Sequence, residues 1–397
     1  MKIGIDLSSI DKSSINQGVY TYALGLIKGF YEIDKKNFFQ IYVNKDLKNH
    51  FVKKIKKKNF KIIEVEKKFI PLKKINTLIS LLFGFLGINT SPIHSFLTNI
   101  INYKNKIIFE KNSDLIIFLN AHENSYNLEI SSIINFHDII HKSHPEFLEK
   151  REVIIRNVIY QNSANSADFI IASSKTMKKE FVSFMRLKAN KIILINEVVD
   201  KNCTLKVKNK KIKKKYFFYP AQFWIHKNHI QLIKEFTKFK VKTKSKIRLY
   251  LCGKRKKYFT KVEKYIKSNK IKDVIYLGEL SSNELKKYYN NCEAVVMPSL
   301  YESSSLVILE AISNKKIVIA SNIGPNKELS QFFKLFIFNL YRKNDLSDQL
   351  SKVVNLDEFT RKKIINHNIA RIENYFWKNI AIKYKNLIDE KIVTKND

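Results

Sequence analysis

Short isoleucine-rich runs recur along this chain at spacings that leave room for one helix between them, and this alternation restricts the possible folds more than any other feature. In the first half they are KIGID (2–6), FQIYV (39–43), KIIEV (61–65), DLIIFL (114–119), SIINF (132–136), DFIIAS (168–173) and KIILI (191–195). Each is brief and bounded by polar residues, as expected for strands buried on both faces of a parallel sheet. Amphipathic patterns over 18–30, 149–165 and 175–187 lie between them. Strand-helix alternation of this kind predicts α/β layering.

At DKNCTLKVKNKKIKKK (200–215) the apolar periodicity stops and a dense charge run reads as a linker. The alternation then restarts with YFFYPA (216–221), IRLYLCG (247–253), DVIYLG (273–278), EAVVMP (293–298) and KIVIAS (316–321). Two doubly wound, Rossmann-like domains follow: residues 1–205 and 206–356, with a helical segment over 357–397 packing back towards the first. A length of 397 residues accommodates both. Ligands of open α/β sheets bind beyond the carboxyl ends of the strands, so functional residues are expected just after them, in a cleft that two such domains would face.

Three cysteines, at 203, 252 and 292, are too far apart for a metal-binding or redox pair and fit a reducing cytoplasm. The start, MKIGIDLSSI, reads as a strand rather than a signal peptide. The most apolar window, LISLLFGFLGI (78–88), falls short of the ~20 residues of a membrane span and reads as a buried or interfacial helix. Seventy-three Lys plus Arg against 36 Asp plus Glu give a net charge of +37, which draws the chain towards polyanions without naming one. No zinc-finger spacing, RNA-binding aromatic motif or basic leucine-zipper pattern accompanies that charge, so a specific nucleic-acid partner is not expected. An anionic membrane surface is.

Several residues sit where chemistry is expected. Gly18 opens the helix after the first strand, where a small residue lets a ligand approach and a helix N-terminus favours phosphate. FHDIIHKSHPEF places His137 at a strand's carboxyl end, suited to acid-base or hydrogen-bonding work. With His141 and His144 a three-histidine metal site is an alternative, disfavoured by the loop character around Pro145. Lys227 stands at the start of a helix, against its dipole, where a nearby anion would account for it; a solvated lysine is the plainer reading. In LYESSSLVILEA, Glu302 follows a strand and Glu310 lies two turns into the next helix. The amides of Ser303, Ser304, Ser305 and Leu306 form its N-terminal anion site.

The span from YPAQFWIHKNH through IGPNKEL, with Glu302 and Glu310 forming an E-x7-E signature between strand and helix, resembles the nucleotide-sugar-binding domain of the family 4 (group 1) retaining glycosyltransferases. Gly18 and FHDIIHKSHPEF resemble, more loosely, the acceptor-side domain of the same GT-B fold. The resemblance implies hexosyl transfer from a nucleotide-sugar donor, with a lean to GDP-mannose, onto a lipid-linked or saccharide acceptor in bacterial lipopolysaccharide, O-antigen or capsule synthesis. It implies no cofactor and no metal, and no Asp-x-Asp triplet is present to hold one. Such work belongs in the cytoplasm, peripherally at the inner face of the membrane.

In that scheme Glu302 contacts the donor sugar, Glu310 the ribose and Lys227 the diphosphate, while Gly18 admits the diphosphate and His137 lines the reaction centre. The chain departs from the family pattern at Gln222, where many relatives carry arginine, at Gln17, where they carry glycine, and at Ser303–Val307, where they carry Gly-Phe-Gly-Leu-Pro. Lys254 and Arg255 are candidates to replace the missing cation. A basic nucleic-acid-binding protein and an inactive relative serving as a scaffold are the competing expectations.

Overall fold

A computed structural model of the chain describes residues 1–12, 15, 18–66, 70–88, 90–121, 127–199 and 215–391. The expected linker over 200–215 lies, apart from Lys215, outside these residues, as do Cys203 and Gln17. The chain divides into two units, Met1–Asn196 with the segment from Trp377 onward, and Glu197–Phe376.

In the first unit the strands are β1 (Lys2–Asp6), β2 (Phe38–Asn44), β3 (Phe60–Val65), β4 (Leu115–Phe118), β5 (Ser131–Asn135), β6 (Phe169–Ala172) and β7 (Ile192–Leu194). Its helices are α1 (Gly18–Ile33), α2 (Lys48–Lys54), α3 (Ile70–Phe85), α4 (Ser91–Asn112), α5 (Ile140–Ser143), α6 (Lys150–Ser166) and α7 (Lys175–Met185). The sheet runs β3-β2-β1-β4-β5-β6-β7, every pairing parallel. Each isoleucine-rich run forms a strand, because its side chains have a buried face on either side of the sheet: Ile3, Ile5, Ile116, Ile117, Ile133 and Ile170 are all inaccessible or nearly so.

The second unit contains β8 (Tyr216–Pro220), β9 (Arg248–Cys252), β10 (Val274–Tyr276), β11 (Ala294–Met297), β12 (Ile317–Ser321) and β13 (Phe336–Phe338). Between and after them come α8 (His229–Thr243), α9 (Phe259–Ser268), α10 (Ser282–Asn291), α11 (Leu306–Ser313), α12 (Gly324–Ser330), α13 (Asp345–Val354) and α14 (Glu358–Ile372). Strand order is β10-β9-β8-β11-β12-β13, again all parallel. The chain order reverses beside β1 in one sheet and beside β8 in the other. This reversal makes a crevice at the strands' carboxyl ends between β1 and β4, and between β8 and β11.

The tail divides within the expected 357–397 segment. Helix α14 stays with the second unit, because Arg361 ties it there: its guanidinium donates to the Glu293 and Val353 carbonyls at 3.0 and 2.9 Å and pairs with the Glu293 carboxylate at 2.8 Å. The final helix, α15 (Trp377–Lys391), lies against α1 in the first unit. Two glycines on α1 make that contact. A Cβ at Gly25 would stand 1.8 Å from the Trp377 ring, and one at Gly29 would stand 2.5 Å from the Trp377 carbonyl oxygen. Ile380, Ala381 and Tyr384 are fully buried, and the Tyr384 hydroxyl meets that of Tyr22 at 3.1 Å.

Candidate functional site

The crevice of the second unit is bordered by the loop after β8, residues 221–228, and the loop after β11, residues 298–305. Backbone and side-chain bonds lock the two loops together. Leu300 N–H donates to the His226 carbonyl at 2.7 Å, and Asn228 Nδ2 donates to the Pro298 carbonyl at 3.1 Å. Asn228 holds a left-handed conformation, φ 58°, which asparagine tolerates better than most residues, and α8 starts immediately after it. The buried Tyr219 hydroxyl donates to the Lys227 carbonyl at 2.9 Å and lies 3.3 Å from Ser299 Oγ.

Across this junction Lys227 Nζ reaches Glu302, 2.7 Å from Oε1 and 2.8 Å from Oε2. Both side chains are largely buried, at 19% and 13% exposed, so each charge relies on the other. The anion that Lys227 was expected to need is therefore Glu302. Lys227 itself ends a single 3-10 turn rather than opening the α-helix, which begins at His229.

Helix α11 begins at Leu306, which puts Glu310 one turn into it and not two. Ser305 occupies the N-cap position but makes no capping bond; its hydroxyl donates to the Asn326 amide oxygen instead. That bond continues inward, from Asn326 Nδ2 to the Ser321 carbonyl at 2.9 Å and from Ser321 Oγ to the Ser299 carbonyl at 2.6 Å. Ser304 Oγ donates to the Glu197 carboxylate. Both serine hydroxyls are thus committed to neighbouring residues, which leaves the backbone amides of Ser304, Ser305 and Leu306 as the donors of a helix N-terminus. Ser303 lies in the same loop, beside Glu302.

Glu310 is half-buried, and its Oε2 accepts a hydrogen bond from the Tyr289 hydroxyl at 2.7 Å. Burial pushes the carboxyl above the ordinary carboxylate value, the Tyr289 bond opposes that rise, and the charge of Glu197 adds to it. Tyr289 is itself buried, with its own ionisation pushed far up by burial and by Glu310. Tyr289, Glu197, Tyr219 and Asn326 went unnoticed in the sequence, where nothing distinguishes them from other polar residues between strands.

At Gln222, where arginine was missing, the side-chain oxygen accepts from Trp224 Nε1 at 3.1 Å. Arg255 lies over aromatic rings, 4.5 Å from the Phe259 centroid and 5.4 Å from Tyr276. Lys254 is exposed on the neighbouring loop, and its carbonyl accepts from Phe223 N–H at 3.2 Å. The loops after β8 and β9 touch at Gly253, φ +137°, where an added Cβ would lie 2.4 Å from the Ala221 carbonyl oxygen.

In the first unit, a Cβ at Gly18, the first residue of α1, would meet nothing within 4 Å, so the surrounding chain does not itself require glycine there. His137 follows β5, and its Nε2 donates to the Leu119 carbonyl at 2.8 Å beside Tyr22. His141 is buried against the Tyr160 ring, and His144 Nδ1 pairs with Glu146 at 3.0 Å. Among the described residues no cluster of three or more His, Cys, Asp or Glu has the geometry of a metal site.

Residues 200–371 match the family model for glycosyl transferases group 1. Over 61% of the chain, the sequence is 27% identical to the O-antigen chain mannosyltransferase RfbU of Salmonella typhimurium, and the match spans 64% of that protein. The chain therefore spans less than two thirds of the length of this curated relative. The fold is that of GT-B glycosyltransferases. The Anabaena HepE protein, solved with UDP and glucose, superposes with a TM-score of 0.69 at 14% identity, covering 98% of this chain and all of that one. The lipopolysaccharide outer core galactosyltransferase WaaB superposes with a TM-score of 0.63 at 16% identity over 98% of this chain and all of that one.

Proposed function

We propose, from the match of residues 200–371 to the glycosyl transferases group 1, that this chain transfers a hexosyl group, with mannose from GDP-mannose as the leading candidate, from a nucleotide-sugar donor to a lipid-linked or saccharide acceptor. The products would be lipopolysaccharide, O-antigen or capsule, and the reaction would proceed with retention and without a metal. One observation carries the reading: Lys227 and Glu302 meet across the β8–β11 crevice, beside the start of α11.

The bond that breaks joins the anomeric carbon to a diphosphate oxygen, and negative charge grows on the departing nucleoside diphosphate. A lysine and the first amides of a helix stabilise such charge without reorganising. Lys227 and the backbone of Ser304, Ser305 and Leu306 would supply them. The acceptor oxygen takes the place of the diphosphate on the sugar, and its proton leaves with the phosphate. Glu302 would accept hydrogen bonds from the donor sugar. Glu310, held by Tyr289, would accept them from the ribose.

Thermal unfolding of the full chain with a panel of nucleotide sugars tests this. A ligand at 100 times its dissociation constant adds about 2.7 kcal/mol of stability, and the stabilising donor should then release its nucleoside diphosphate when an acceptor is added. No stabilisation by any nucleotide sugar, together with salt-sensitive binding to DNA or RNA, would establish the nucleic-acid alternative instead.

A further inference from the structure

Helices α3 and α4 are arranged with their polarity reversed. Their polar residues point inward: Asn76 Nδ2 donates to Thr98 Oγ1 at 3.1 Å and to the His94 carbonyl at 3.3 Å, and Asn162 of α6 lies 3.2 Å from His94 Nδ1. Asn76, His94 and Thr98 are all buried. Large apolar residues point outward, at the spacing of one helix face. On α3 they are Leu78, Leu82 and Phe85, and on α4 Phe96, Ile100 and Tyr103, each between 51% and 66% exposed. Water-soluble helices put the apolar stripe against the core. Here hydrogen bonds hold the two helices to each other and to α6, while the apolar faces are left to the surroundings.

Basic residues outnumber acidic ones around this face, although Lys104 pairs with Glu66 at 3.2 Å. Helix α3 contains no acidic residue, and the only one in α4, Glu110, lies near its end and pairs with Lys106 at 3.6 Å. Lys104, Lys150 and Arg151 are exposed nearby, with the Lys150 ammonium 5.3 Å above the Phe85 ring. Neither helix is long and apolar enough to cross a membrane. An apolar face with a basic rim and no span is the composition of an element that lies in the lipid interface.

We propose that α3 and α4 together form a docking face for an anionic bilayer, with the six apolar side chains entering the headgroup-acyl boundary and the basic rim meeting lipid phosphate. Charge complementarity selects this occupant over a second copy of the chain, since a net charge of +37 and two like rims would repel. The inference is independent of the transfer chemistry. It also differs from adsorption by general charge, because the contact it names is apolar and confined to one face.

Flotation of the full chain with phosphatidylglycerol–phosphatidylcholine vesicles tests it. The pair Leu82→Asp and Phe96→Asp changes exposed positions only, and should lower the partition coefficient about tenfold or more at equal salt. In a second measurement, tryptophan introduced by Phe96→Trp should be quenched by vesicles carrying brominated chains, above the level set by the native tryptophans. Wild-type flotation of the aspartate pair, an unquenched tryptophan at 96, or a lipid-free dimer that the aspartate pair dissociates would each overturn the proposal. Nucleotide-sugar stabilisation, read on the same samples, keeps the two readings apart: a chain that floats through this face yet binds no donor supports the docking face and refutes the transfer.

Discussion

Lys227 and Glu302, 75 residues apart, share two hydrogen bonds of 2.7 and 2.8 Å and are otherwise largely shielded from water. In the proposed reaction a donor diphosphate would compete with Glu302 for the lysine. Substituting Lys227→Met should raise the donor KM, and Glu302→Gln should act mainly on kcat, because the bond it weakens is strongest as charge develops at the sugar. A hydrogen bond to a charged group is worth about 1.5–3 kcal/mol, so each effect should be on the order of tenfold to a hundredfold. Donor-dependence curves for the two single variants measure it, and wild-type kinetics in both would remove these residues from the site.

Tyr289→Phe removes the hydroxyl that holds the Glu310 carboxyl down, so its already raised pKa should climb further. For a carboxyl raised on folding, the stability it contributes is present below the ordinary carboxylate value and is lost as pH rises through the raised one. Donor binding runs the other way, since a ribose hydroxyl is best accepted by the ionised form. The acid limb of donor KM against pH should accordingly move to higher pH in Tyr289→Phe. A limb that stays in place would show that Glu310 does not hold the donor.

If the proposed reaction holds, activity should survive EDTA and gain nothing from added manganese, because Lys227 and the start of α11 would take the charge a divalent cation otherwise balances. Turnover assays with and without chelator decide this. Full loss restored by manganese is the contrary result.

Gly253→Ala should destabilise the second unit by about 1–3 kcal/mol, through a left-handed backbone angle and a contact with Ala221 that no side chain fits. The midpoint of chemical unfolding reports the change, and donor affinity should fall with it because the loop carrying Lys227 loses its neighbour.

The strands were legible because each one is a compact isoleucine- or aromatic-rich segment between polar ends. Each of the twelve runs named from the sequence overlaps one of the strands β1 to β12, and nine contain theirs entirely. The strand β13 was not named, although it is as long as β7 and β10, which like it are sheet edges and were named. The E-x7-E pair was visible by its spacing, but its partners were not. Tyr289 sits 21 residues from Glu310 and Glu197 sits 107 from Ser304, separations that carry no local pattern. Helix α4 went unread for another reason: its asparagines, threonine and histidine face inward, and a search for apolar residues on a core-facing stripe looks on the wrong side.

The seating of Trp377 on Gly25 and Gly29 has a consequence for biosynthesis. The first unit takes residues from both sides of the second, which lies between them in the chain. The chain up to Phe376 includes every residue of the second unit, whereas α1 still lacks the helix, α15, that covers Gly25 and Gly29. Synthesis in chain order thus makes the first unit the later of the two to have all its residues. A stop ahead of Trp377 would leave a chain whose second unit has all its residues and whose first unit exposes the surface of α1 to chaperones or proteolysis.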